Sequence, residues 1–179
     1  MAKQTFALED RVVEYDENSI TCKSKRFQEL FPVPYMKLAE NMTRMQIDAS
    51  EAGTEKLSAR FDEVEKKLGE YGFSKSEAID YSICLSEAVL NAQRHSLKLE
   101  EGKKFSLEFY IADKLVLMTI SSVGEPYNIK KSVECIKNMQ IDLYRECGRG
   151  NAIMISMCDF FHVLADGNET EVTLGKIAS

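Results

Sequence analysis

Glu87, Asn91 and His95 recur every four residues along a stretch that is otherwise largely apolar, Ile83-Cys84-Leu85-Ser86-Glu87-Ala88-Val89-Leu90-Asn91-Ala92. On a helix this spacing sets all three on neighbouring turns of one face. Polar groups in an oily setting are costly to bury unless satisfied, a carboxylate most of all, so the stripe is expected to line a cleft where water, metal or ligand meets it. The residue types suit phosphate handling. An amide oxygen of Asn91 can bind a hard Mg²⁺ beside phosphate oxygens, Glu87 can take a proton from a hydroxyl or water, and His95 can donate to phosphate. For any one of the three alone, a hydrogen bond to a neighbouring loop is the better reading. A second motif, Gly148-Arg149-Gly150, stands ahead of an apolar run. Glycines let backbone approach phosphates, and free amides at a helix start attract anions. Gly-x-Gly is often only a turn and such an arginine is often solvated, so this motif gains weight from its company, since the two together would bracket one triphosphate.

Elements must exist to hold these residues. Ser74-Lys75-Ser76-Glu77 is a capping box, which starts a helix at Lys75 that runs to about His95. Before it, Leu57, Phe61, Val64 and Leu68 form one apolar stripe on a helix from Thr54 to Gly69, with Gly69 and Gly72 at its end. Alternation around Met42 to Ile47 reads as an opening strand, and Phe105 to Ile111 with Leu115 to Ile120 as an antiparallel hairpin. Ile129 to Met139 is an amphipathic segment, Ala152 to Phe160 an apolar helix, and Phe161 to Leu164 with Glu171 to Leu174 a closing hairpin through Asp166-Gly167-Asn168. The sum is an α+β, two-layer sandwich. Arg11 to Tyr15 and Ser19 to Cys22 flank Asp16-Glu17-Asn18 as a short hairpin, and Phe31-Pro32-Val33-Pro34 breaks the chain after it. Residues 1–37 are therefore expected to be an N-terminal extension and 38–179 the domain proper.

The 179 residues, 44% of them hydrophobic, suit one domain and its extension. Twenty-three Lys and Arg against 29 Asp and Glu leave a net charge of −6 with the basic residues dispersed, which argues against nucleic acid as a partner. No stretch approaches the roughly 18 apolar residues of a membrane span. The start, Met-Ala-Lys-Gln-Thr, lacks the apolar core of a secretory signal, so a cytoplasmic protein is expected. Cys22, Cys84, Cys135, Cys147 and Cys158 include no Cys-x-x-Cys pair, and only His95 and His162 could complete a metal site, so reduced, mostly buried thiols are expected.

Gly72-Phe73-Ser74 through Leu85-Ser86-Glu87-Ala88-Val89-Leu90-Asn91-Ala92-Gln93-Arg94-His95 resembles the region preceding and containing the N-box of the anti-sigma factor serine kinases. These belong to the ATPase superfamily of gyrase, the heat-shock chaperone, histidine kinases and the MutL mismatch-repair protein. Gly148-Arg149-Gly150-Asn151-Ala152-Ile153-Met154-Ile155 looks like that family's second glycine box, and Glu169-Thr170-Glu171-Val172-Thr173-Leu174 like its closing strand. The resemblance covers about Met42 to Lys176. It implies the Bergerat, or histidine kinase-like ATPase, fold, with a mixed and mostly antiparallel sheet covered on one face by helices. By the same resemblance Glu87 is the catalytic base that activates a protein serine, and Asn91 the Mg²⁺ ligand. His95, Gly148, Arg149, Gly150 and Asn151 then attend the phosphates, and Thr170 lies near the nucleotide, although an exposed strand threonine without a role is an equal alternative. ATP or ADP with Mg²⁺ would be the ligands, a sigma factor and an anti-sigma factor antagonist the partners, and a homodimer the usual assembly.

One departure stands out. Where the family has Asp-x-Gly-x-Gly, its Asp accepting from the adenine amino group, this chain has Ser122-Val123-Gly124-Glu125-Pro126. Gly124 is kept, Ser122 replaces the charged acceptor, and Pro126 stiffens the loop. Loss of a charged acceptor is worth about 1.5–3 kcal/mol. A regulatory module of the same fold that binds its partner with little or no nucleotide is thus the alternative to a kinase.

Overall fold

The computed structural model describes residues 2–32, 43–48, 54–96, 105–138 and 149–179, with backbone alone for 43–48, 54–60, 95–96 and 149. In chain order the described elements are β1 (Gln4–Leu8), β2 (Arg11–Tyr15), β3 (Ser19–Ser24), α1 (Lys25–Leu30), β4 (Thr43–Asp48), α2 (Thr54–Glu70), α3 (Lys75–Ser96), β5 (Ser106–Ala112), β6 (Leu115–Val123), α4 (Ile129–Lys137), α5 (Arg149–Met157), β7 (Phe160–Asp166) and β8 (Glu169–Ile177). All eight strands lie in one sheet, ordered β1-β2-β3-β7-β8-β6-β5-β4. Where a mixed sheet was expected, every pairing is antiparallel.

Local chemistry places the ends of these elements. The Glu77 amide donates to Ser74 Oγ at 3.3 Å and the Ser74 amide to Glu77 Oε2 at 2.8 Å, which is the reciprocal capping that starts α3 at Lys75. The other oxygen of Glu77 accepts from the amide of Ser179 at 2.8 Å and from its hydroxyl, tying the far end of β8 to the start of α3. Burial pushes the Glu77 carboxyl up, but the hydrogen bonds from Ser179 and Ser74 together outweigh it and hold it down at about 2. Gly72, at φ +88°, turns the chain out of α2, and the Phe73 amide returns to the Leu68 carbonyl at 3.1 Å.

Several boundaries differ from the pattern of the sequence, and those of the glycine-bearing helix matter most. α5 starts at Arg149, so Arg149 and Gly150 are first-turn helix residues, where they were expected to be loop. It ends at Met157, and Phe160 opens β7 opposite Lys23 of β3 and Gly175 of β8, because two ladders of main-chain hydrogen bonds outweigh continued helix. β1 and α1 were not anticipated. β1 extends the β2–β3 hairpin, and the β3–β7 ladder joins these N-terminal strands to the rest of the sheet. The boundary expected near residue 37 lies outside the described residues.

The main core fills the space between one face of the sheet and helices α2 to α5. Val116, Met118 and Ile120 of β6, Phe109 of β5, Phe161 of β7 and Leu174 of β8 meet Val64, Leu68, Tyr81, Leu85, Val133 and Ile155 there. A smaller cluster occupies the opposite face, where α1 lays Phe27 over Phe160 with ring centroids 4.9 Å apart, beside Leu115, Leu117 and Ile177. Helices therefore cover one face as expected, and one short helix is added on the other. No disulfide joins the described cysteines: Cys22, Cys84 and Cys158 are buried and Cys135 is partly so, while Cys147 lies outside the described residues.

Candidate functional site

α3 starts beside the last residues of β8 and runs along the sheet toward the end of β6. Tyr81, on its second turn, donates its hydroxyl to the Leu174 carbonyl at 3.2 Å. Ten residues of helix onward from Tyr81 is roughly 15 Å, and four residues of strand back from Leu174 is about 13 Å, so a helix aligned with β8 would carry Asn91 toward its Thr170 end. Ser122 is the register partner of Thr170 across the β6–β8 ladder. Alternation from Ile120 and Val172, both packed in the main core, turns Ser122 and Thr170 to the same helix-covered face. Gly124 closes this end, its amide donating to the Asn168 carbonyl at 2.8 Å.

Glu87 and Asn91 are half-buried on α3, and among the described residues neither makes a hydrogen bond or ion pair. Their heads converge on Gly150 in the first turn of α5. A Cβ placed on Gly150 would stand 2.9 Å from Asn91 Nδ2, 3.1 Å from Glu87 Oε2 and 3.4 Å from Asn91 Oδ1. With the heads of Asn91 and Glu87 as they stand, only glycine fits at this close approach of α5 to the polar stripe. The approach also brings together a carboxylate oxygen, an amide oxygen and the start of a helix whose first amides have no intrahelical partner. Two hard oxygen donors beside amide donors are a set that fits Mg²⁺ and phosphate.

Asn151, next along α5, donates from Nδ2 to the hydroxyl of Tyr127 at 2.8 Å. Burial pushes the Tyr127 phenol up, against the opposing effect of hydrogen bonds with Ser132 and Asn151, so it stays protonated at neutral pH. Tyr127 follows Pro126 in the loop after β6, so this bond links the substituted loop to the first turn of the glycine helix. Sequence reasoning missed Tyr127, because an aromatic residue in a loop carries no periodic signal.

Of the residues singled out in the sequence, the structure brings Glu87, Asn91 and Gly150 into one cluster, Ser122 and Thr170 into one cross-strand pair, and Asn151 onto Tyr127. His95 lies one turn past Asn91 and Arg149 starts α5, both described by backbone alone, and Gly148 lies outside the described residues. Among the described residues no group of three or more His, Cys, Asp or Glu could hold a metal by itself. No described helix is long and apolar enough to cross a membrane.

A layer of helices over one antiparallel sheet, with a polar helix face meeting a glycine at the start of another helix, defines an α+β sandwich. A family model for the histidine kinase-like ATPase domain matches residues 50–176, and the chain belongs to that family. Its members generally bind ATP with Mg²⁺. A search of curated proteins finds no match to the chain. β1, β2, β3 and α1 precede the matched range.

Proposed function

We propose that the chain is a Mg-ATP-dependent protein serine kinase of the anti-sigma kind, which binds a sigma factor and phosphorylates a serine of an anti-sigma factor antagonist in the cytoplasm. The meeting of Glu87 and Asn91 with Gly150 carries this reading, because it unites a base, a metal ligand and a phosphate-facing helix start in one place. In this mechanism the substrate serine oxygen bonds to the γ-phosphorus as the bond to the departing ADP oxygen breaks, and Glu87 accepts the hydroxyl proton. Asn91 Oδ1 would hold Mg²⁺, which when bound neutralises charge on the phosphate oxygens. Amides of the first turn of α5 donate to phosphate oxygens, His95 and Arg149 add donors, and Ser122 and Thr170 face the base.

A specific observation favours a second reading. Ser122 offers a short neutral hydroxyl where a charged acceptor is usual, and Pro126 follows it, which suits a module that acts by occluding a partner with weak or no nucleotide. Calorimetric titration of Mg-ATP into the wild-type chain and Asn91→Ala separates the two. Binding by the wild type that the variant loses supports the kinase reading, and phosphorylation of the antagonist that Glu87→Ala abolishes completes it. No binding at millimolar nucleotide overturns it in favour of the occluding module.

A further inference from the structure

We propose that Arg11 is a positioning residue for the glycine-bearing helix, so that the N-terminal strands, which lie before the matched range, complete the nucleotide site; the inference rests on the nucleotide reading above. Arg11 opens β2, between β1 and β3, yet its side chain reaches off the sheet and is mostly buried, 14% exposed. Its Nη1 donates to the Cys158 carbonyl at 2.5 Å and its Nη2 to the Ser156 carbonyl at 3.3 Å, while Nε lies 3.7 Å from an Asp10 carboxylate oxygen. Those carbonyls belong to the C-terminal end of α5, where the last carbonyls lack intrahelical donors and the helix dipole is negative. A guanidinium fork answers both needs with two donors set in a fixed plane.

The other end of the same helix carries Gly150 against Glu87 and Asn91. Nine helical residues span only about 13 Å, and a rod that short passes a tilt at one end to the other. Asn151 is held by Tyr127 at the first turn, so α5 is gripped at both ends by side chains from other elements. The grip from the N-terminal strands extends to α4. Lys137 Nζ sits 5.1 Å from the ring centroids of both Phe6 and Tyr15 and donates to the Tyr15 hydroxyl at 3.1 Å. β1 and β2 thus hold the C-terminal ends of two successive helices, and Arg11 holds the one that reaches the site.

Amide hydrogen exchange on the ligand-free full chain, paired with Mg-ATP calorimetry, tests this. In Arg11→Ala, exchange at 152–155 is expected to quicken roughly tenfold with β5 and β6 unchanged, and Mg-ATP to bind roughly tenfold more weakly. Arg11→Lys, which keeps the charge and loses the fork, should fall between the two and covers the case in which alanine does not fold. Faster exchange confined to 156–158, or unchanged Mg-ATP affinity in Arg11→Ala while the wild type binds, overturns the proposal. If the wild type binds no Mg-ATP the nucleotide reading fails, and exchange at 152–155 alone then decides whether Arg11 positions the helix beyond its own end.

Discussion

The two faces of the sheet differ in what their residues are free to do. On the helix-covered face the long core of α2 to α5 excludes water almost everywhere, and the polar groups it admits include Glu87 and Asn91 beside Gly150 and the cross-strand pair Ser122 and Thr170. On the opposite face α1 shields only one patch, Phe27 over Phe160, Leu115, Leu117 and Ile177. Beside that patch the strands carry a polar row in register, Thr21, His162, Thr173 and Thr119, in which Thr21 Oγ1 meets His162 Nδ1 at 2.9 Å and the two other threonine hydroxyls meet at 3.0 Å. Polar groups of the second row bond one another, whereas those of the first are unsatisfied by described neighbours. A sheet can therefore keep stability on one side and leave unmet polar capacity for a ligand on the other.

Substitutions can break that division. The largest effect is expected from Phe27→Ala, which empties the small cluster and should cost about 3–5 kcal/mol of unfolding free energy in a denaturant titration while leaving the nucleotide affinity of the folded protein intact. Loss of affinity in proportion to stability would show that the two faces are not separable. Ser122→Asp should restore a charged acceptor on the helix-covered face, raising Mg-ATP affinity by about tenfold in calorimetry, the change that roughly 1.5–3 kcal/mol allows after desolvation is subtracted. No gain would mean that Ser122 does not face the base.

Gly150→Ala is a finer cut, since its methyl would collide with Asn91 and Glu87, both flexible at their tips. The heads should swing aside at a stability cost below about 1 kcal/mol, because alanine is the better helix former, yet binding should weaken severalfold. Unchanged binding would remove Gly150 from the site. The smallest effect belongs to His162, which burial pushes down to about 4 from 6.5. Between those values the unfolded chain takes up a proton that the folded chain refuses, so stability falls as the pH drops below 6.5 and levels off near 4. From pH 7 to 6 the loss should be under about 1 kcal/mol, measured by chemical denaturation, and His162→Gln should flatten the slope. A slope that persists in the variant would place the titration elsewhere.

Much of this architecture was legible in the chain because its signals are local. The capping box at Ser74 and Glu77, the stripe of α2, and the Asp113-Lys114 and Gly167-Asn168 turns each act within a few residues, so spacing alone locates them. The helix-spaced Glu87 and Asn91 were readable for the same reason. Three features were not. α5 includes Gly150 because its first turn is packed against α3, a contact outside the reach of periodicity. Phe160 belongs to a strand because Lys23 and Gly175, far off in sequence, supply the ladders. α1 was hidden because six residues are too few to show a helical stripe, and it is held by Phe27 on Phe160 and by Ser24 Oγ accepting from the Phe27 amide.

By itself the sequence determined the residue types, the polar stripe on an apolar helix, the departure at Ser122 and Pro126, and the alternation of elements that makes a two-layer α+β protein, since these depend on side-chain chemistry and on repeats of 2 and 3.6 residues. Only the tertiary structure decided that Gly150 rests on Glu87 and Asn91, that Ser122 stands opposite Thr170, that Tyr127 holds Asn151, and that Arg11 reaches the far end of the same helix. Each of these joins residues from different elements, and such distances are set by how the core packs between sheet and helices, which no local pattern of amino acids records.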